Sequence, residues 1–411
     1  MIIHIKRKII PLLVMVGLLL WSAGATAQKI TLDSAVNIAL RNNLSIKSEK
    51  LKADYQQALI KTSAALPATN FSGEFGQFNS IFFDHRFGVS QGLSLPSVYG
   101  RQKTLLVEEW KVAALGVATK AAELKKAVAE TFYALLFLRK KEQILLRTDS
   151  MYNVFLKQST QRLKSGESNI LEQTTAAAQS GHQKLLLQQL LQEKLVLNVQ
   201  LQLLLNAEGN FEPTAPGLDT AWLNLNRDKV DDHPYLQVLR QQKAVSAANS
   251  KVEQSRLLPE LNLGYFNTSI RGVGADDITY SGAKRFQSFQ VGVGVPLFRS
   301  AQRAKITAAK LQERVTESAY EAQKKQLDQQ LQAALIQVRS YSEQVNYYQQ
   351  TLLPNYEVML QTANGQLKGG EINYLDWVQL MHQRTVGELS YLELLKAYHE
   401  AQILVNYLTN Q

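Results

Sequence analysis

The sequence predicts a mainly helical chain with a small β part, built as two tandem copies of one helix–β-hairpin–helix unit. Three observations carry this: a repeated decapeptide, two proline-bearing strand stretches that recur in the same order, and long proline-free stretches with heptad spacing between them. The decapeptides, LKSGESNILE (163–172) and LKGGEINYLD (367–376), agree at seven positions of ten, counting acid for acid, at an offset of 204. ALPATNFSG around Pro67 pairs with LLPELNLGY around Pro259 at an offset of 192. FGVSQGLSLPSVYGRQK around Pro96 pairs with FQVGVGVPLFRSAQR around Pro296 at 200, which places Gln102 and Lys103 on Gln302 and Arg303. The offset grows by 8 and then by 4, so the second copy carries small insertions.

Residues 1–27 predict a cleaved signal peptide. Lys6, Arg7 and Lys8 precede an apolar run, and Ala25-Thr26-Ala27 offers a small-residue cleavage site. The first copy then spans 28–212. Thr31 is positioned to cap a helix through TLDSAVNIALRNN, with Ala35, Ile38 and Ala39 on one face. Strands are predicted at about 69–80 and 86–96. From Lys103 to Gln161, 59 residues run without proline and with one glycine, Gly116, which is roughly 90 Å of helix. After the tip at 163–172, Leu190, Leu197 and Leu204 fall seven apart beside Leu187 and Leu201, the spacing of a coiled coil. Pro213 and Pro216 end the copy. The second copy, 213–411, repeats the plan with strands at about 260–270 and 286–296 and a tip at 367–376. Its eight-residue surplus falls around RGVGADDITYSGAK, a longer loop between strands. Pro354 predicts a kink in its long arm, and the four-residue surplus there has the size of a coiled-coil stutter.

The strands alternate. Phe87, Val89, Leu93 and Leu95 interleave with Gly88, Ser90, Gly92 and Ser94; Phe289, Val291, Val293 and Val295 interleave with Gln290, Gly292 and Gly294. Ten of the fourteen Phe lie in 71–98 and 260–298, so aromatics crowd the strand ends. This pattern predicts transmembrane β-strands with the eight named apolar residues facing lipid; two soluble hairpins packed on helices are the alternative. Four strands cannot close a barrel, and an open sheet edge in lipid strands backbone polar groups. Membrane strands therefore imply an oligomer.

Other chemistry is thin. The net charge of +10 falls to about +7 without the three leader cations, and its Lys and Arg are scattered along helical stretches, unlike a nucleic-acid footprint. Absence of cysteine excludes disulfides, thiolate metal sites and an acyl anchor on Cys. His85, His182, His233, His382 and His399 show no zinc-ligand spacing, and Met151, Met359 and Met381 are too dispersed for a copper relay. No nucleophile elbow, phosphate loop or dinucleotide fingerprint occurs, so the expectation is no enzyme, no cofactor and no bound metal. In the repeated decapeptide, Gly166 and Gly370 suit the left-handed end of a helix. Asn169 and Asn373 suit caps of the next helix, with Glu172 and Asp376 three residues on as capping-box-like carboxylates.

From KITLDSAVNIALRNNLSI to its end the chain resembles the TolC-like outer-membrane efflux factors. The resemblance rests on the duplicated plan, the ALP and LLP approaches to the strands, the prolines Pro96 and Pro296 and the two G-E-x-N-x-L-acid tips. It implies a homotrimer whose twelve strands close one outer-membrane β-barrel, with the long helices forming a periplasmic α-barrel. It also implies docking on a periplasmic membrane-fusion adaptor and an inner-membrane RND pump. By the same resemblance Gly166, Glu167, Gly370 and Glu371 are adaptor-contact positions and Asp376 is a gate position with Glu172 its repeat partner; Trp377 beside the gate is read as interhelical packing in preference to substrate contact. RFGVSQGLSLPSVYGRQKTLLVEEWK and LKSGESNILE look most like the CusC and CzcC type, which implies heavy-metal cations as cargo; drug efflux and type I secretion are the alternatives. A competing class is a periplasmic coiled-coil adaptor or structural protein, which shares the heptads but needs no Phe-rich alternating strands.

Overall fold

A computed structural model describes residues 28–79, 81–214, 230–274 and 276–410; the predicted signal peptide lies outside them. Two rods of helices run from a small sheet to a pair of tips. In the first copy β1 (Gln28–Ile30) leads into α1 (Leu32–Asn42) and α2 (Leu44–Leu59), followed by β2 (Asn70–Gly76), β3 (Asp84–Ser94), α3 (Pro96–Lys164), α4 (Ile170–Leu205) and β4 (Phe211–Pro213). The second copy supplies α5 (Pro234–Ser255), β5 (Glu260–Ser269), the short β6 (Gly272–Val273) and β7 (Thr279–Tyr280), β8 (Arg285–Gly294), α6 (Ser300–Tyr347), α7 (Leu353–Gly369) and α8 (Tyr374–Thr409).

Local chemistry fixes the element ends. Thr31 Oγ1 accepts from the Ser34 N–H and starts α1, whose fully buried Ala35 and Ala39 form the small-residue face laid into the core. Asn43 both ends α1 and starts α2: its Oδ1 accepts from Ser45 and Ile46 N–H, while its Nδ2 donates to Leu204 O across the fold at 2.9 Å. The α3 helix opens seven residues earlier than the proline-free run suggests, because Pro96 itself occupies the first turn, where a missing N–H costs nothing. Leu95, held extended before it (φ −60°, ψ 146°), is thus the helix N-cap. It lies outside the strand in which it was expected, and Val295 likewise lies one residue past β8. The first strand stops at Gly76, short of the predicted 80.

The predicted stutter is absent. The surplus of four is spent on Pro296 to Arg299, which precede α6 as non-helical chain. Between α6 and α7 lies a single π turn, Tyr348–Leu352, in which Leu353 N–H reaches back five residues to Tyr348 O. Pro354 follows it; lacking an N–H and crowding the carbonyl four residues back, a proline inside a helix is accommodated by such a widened turn.

Where the rods cross α1, Phe132, Leu136, Leu201, Leu205 and Ile30 build the main core. There β1 and β4 form a three-residue parallel pair, Gln28 against Phe211 and Ile30 against Pro213. His399 stacks on Tyr133 at 5.0 Å, whose phenol burial pushes up to about 12. A second seam joins Leu327, Leu331 and Val338 of α6 to Ala401, Val405 and Leu408 of α8.

Candidate functional site

Two regions hold the predicted site residues: the tips and the sheet. At the tips both copies end their rods in the same turn. Gly166 and Gly370 share φ +76°. Glu167 N–H donates to Arg162 O and Gly166 N–H to Leu163 O; Glu371 N–H donates to Gln366 O and Gly370 N–H to Leu367 O. These paired 6→1 and 5→2 bonds are the Schellman arrangement, which needs a left-handed residue at the glycine. The Asn169 Oδ1 then accepts from Glu172 N–H at 3.0 Å and the Asn373 Oδ1 from Asp376 N–H at 2.9 Å, so each asparagine caps a return helix.

The carboxylates part company here. Glu172 is held within its own copy: Ser168 Oγ donates to it at 2.6 Å and Arg162 Nη1 lies 3.6 Å away, leaving the side chain 12% exposed. At the offset of 204, Arg162 corresponds to Gln366 and Ser168 to Ile372. Asp376 thus has neither partner and stands exposed. Arg162 also spans the copies, its guanidinium 4.7 Å from the Tyr374 ring centroid, and Tyr374 stacks on Phe155 at 5.5 Å. Trp377 is buried beside them and donates Nε1–H to Asn364 Oδ1. Further along, Glu388 of α8 takes Arg147 of α3 and, at 3.0 Å, Arg384. The Arg162 clasp was missed in the sequence; a position-by-position comparison of the decapeptide flanks would have exposed it.

The sheet has strand order β2-β3-β5-β8, all antiparallel, and the two outer strands pair on one side only among the described residues. Register sorts its residues into two faces, since directly paired residues share a face. One face carries the rows Leu93–Leu261–Val293, Gln91–Leu263–Val291, Phe71–Val89–Tyr265–Phe289 and Gly73–Phe87–Asn267–Gln287. All six predicted lipid-facing residues that lie within strands fall on it, and Phe289, Val291 and Val293 are 83%, 72% and 60% exposed. The other face carries Ser72, Glu74, Gly88, Ser90, Gly92, Asn262, Gly264, Gln290 and Gly292. Phe266 lies flat on this small-residue face, where a Cβ on Gly88 would meet its ring at 2.6 Å, and the Arg86 guanidinium covers it at 4.4 Å.

No helix among the described residues is long and apolar enough to cross a membrane, and no three His, Cys, Asp or Glu among them are placed to hold a metal ion. Of the histidines, His233 caps α5, its Nδ1 accepting from Tyr235 N–H, and burial lowers its pKa.

Residues 229–406 match the family described as outer membrane efflux protein. A search of curated proteins finds no match. Among solved structures, CusC superposes with a TM-score of 0.77 at 17% identity, covering 92% of this chain and 91% of that one. The CmeC outer membrane channel of Campylobacter jejuni gives 0.77 at 14% identity, covering 92% and 85%. The open-state MtrE outer membrane channel of Neisseria gonorrhoeae gives 0.70 at 15% identity, covering 92% and 88%. The second copy thus carries the sequence pattern of outer membrane efflux proteins, and the chain as a whole has the fold of these channels.

Proposed function

We propose that the chain is one protomer of a trimeric outer-membrane exit duct, which passively conducts cargo delivered by an inner-membrane RND pump through a periplasmic adaptor. The observation that carries this is the four-stranded sheet with one apolar face, one small-residue face and two open edges. In water such a sheet would expose an apolar surface and two unpaired edges, both aggregation liabilities. In lipid the apolar face is solvated, and pairing β2 of one protomer with β8 of the next closes a barrel that has no edge. Three protomers give twelve strands with the small residues lining the lumen. The periplasmic-scaffold alternative leaves this face without a role.

In this reading Gly166, Glu167, Gly370 and Glu371 meet the adaptor, and Asp376 with Glu172 lines the periplasmic entrance. Heavy-metal cations are the favoured cargo, supported by the likeness of the 86–111 and 163–172 stretches to metal-pump channels and by the exposed carboxylate at the tip. The test is fractionation and cross-linking of whole cells, followed by planar-bilayer recording and by complementation of a strain lacking its own duct on metal salts and on dyes. Outer-membrane trimers with discrete conductance and metal tolerance are expected. Soluble periplasmic protein would refute the duct; tolerance to dyes alone would refute the cargo.

A further inference from the structure

Above the apolar rows the same face of the sheet ends in a cationic one. Arg285 pairs with Ser269, and Ser269 Oγ accepts the His85 N–H at 2.8 Å, while His85 pairs with Phe75. Phe75, His85, Ser269 and Arg285 therefore form one row across all four strands. Arg285 donates from Nε and Nη2 to Asn267 and its guanidinium lies 5.4 Å from the Phe87 centroid. Its planar fork is thereby fixed against the apolar face, with about three of its five N–H donors uncommitted among the described residues. His85 stands between the ring edges of Phe75 at 5.9 Å and Phe83 at 5.6 Å, and Phe75 joins Phe87 at 5.7 Å. Three acidic groups at this end are otherwise engaged. Glu74 pairs with Arg86 on the opposite face, Asp84 is buried against Ser269 and the Arg271 N–H, and Asp276 accepts from Tyr280, whose ring packs on Phe286 of the opposite face.

The height of this row identifies its surroundings. From Val293 to Arg285 the strand climbs eight residues, about 27 Å along its axis and roughly 20 Å vertically at a typical barrel tilt of about 40°. That approaches the apolar band of about 25 Å, which ends in an aromatic girdle at the headgroups. Resting on the membrane reading above, we propose that Arg285, with His85 two strands along the same row, binds the phosphate of an anionic lipid in the outer leaflet. The fork supplies bidentate, charge-assisted hydrogen bonds to phosphate oxygens, and Phe75, Phe83 and Phe87 pack against the upper acyl chains.

Purified full-length protein in phosphatidylcholine nanodiscs, doped with either bisphosphorylated or dephosphorylated lipid A, tests this by native mass spectrometry of retained lipid. Wild type retains the bisphosphorylated form preferentially. Arg285→Gln weakens retention about tenfold, the loss of one charge-assisted contact; Arg285→Lys, keeping the charge without the fork, falls between. Arg86→Gln, two strands over on the opposite face, leaves retention unchanged. Equal retention of both lipids by wild type, undiminished retention by Arg285→Gln, or an equal loss in Arg86→Gln overturns the proposal. So does inorganic phosphate binding the detergent-solubilised protein as tightly as the lipid, which would place the anion in solution. Failure of the wild type to enter lipid discs at all overturns the membrane reading beneath it.

Discussion

Replacing Phe289 by Arg tests which way the sheet faces. Phe289 lies four residues from Val293 and four from Arg285 along β8, so in the barrel proposed above it would sit about 10 Å vertically from either end of the apolar band, near its middle. A lipid-facing Arg there costs about 2–4 kcal/mol per chain, whereas Val293→Arg, one residue from the strand end, costs about 0–1 kcal/mol. The Phe289 variant also loses a ring contact with Tyr265 at 5.4 Å, worth about 0.5–1.5 kcal/mol. Ser288→Arg places the same cation one residue away on the small-residue face and is expected to be nearly neutral. The assay is reversible urea unfolding in lipid vesicles, read by gel mobility of the folded trimer. The expected order of destabilisation is Phe289→Arg well above Val293→Arg, with Ser288→Arg lowest. Equal costs at Phe289 and Ser288 would refute the assignment of faces.

Three other outcomes follow from particular contacts. Asp376→Asn lowers cation selectivity in planar bilayers more than Glu172→Gln, because Arg162 already compensates Glu172; the gap widens from about 0.1 M to about 0.01 M salt, where the Debye length grows from about 10 to about 30 Å, and a larger effect at Glu172 would sink the idea. Gly387→Ala drives a Cβ into the Tyr356 ring and costs about 1–3 kcal/mol by overpacking α7 against α8, checked by chemical denaturation. His233 has a pKa depressed by burial, so the unfolded chain binds its proton more readily; stability is retained above the unfolded value near 6.5 and lost as pH falls below it. His233→Asn keeps a capping acceptor and should flatten the melting temperature between about pH 7 and pH 5; an unchanged slope would show that other groups set it.

The repeat made the plan legible, because Pro67, Pro96 and the decapeptide each recur at the approach to a strand, the exit from a strand and the turn between long helices. The two glycines with φ +76° and the two capping asparagines are written in the sequence for the same reason. Other features depend on contacts between distant residues. The β1–β4 pair is three residues long on each side, too short for alternation to register. The inequality of Glu172 and Asp376 lies in Arg162 and Ser168, on the flanks of a motif whose matching positions draw attention away from its differences. The row joining Arg285 to His85 depends on β3 meeting β5 at His85 and Ser269, 184 positions apart in the chain, and on β5 pairing with β8 across an irregular loop, so periodicity within any one strand could not place it.

Measured from the first helical residue to the tip glycine, the rods match: Pro96 to Gly166 and Ser300 to Gly370 are both separated by 70 residues. Arg162 reaching Tyr374 shows that they finish side by side. The copies thus act as two rulers of equal residue count, even though the second carries the π turn at Tyr348–Leu352 where the first is one unbroken helix. An insertion of one heptad in a single rod would push its tip about 10 Å beyond the other, break the Arg162 clasp and tilt the end of the molecule. Changes of reach are therefore tolerated only as matched pairs, one in each copy, and a duct lengthened to span a wider gap should carry both.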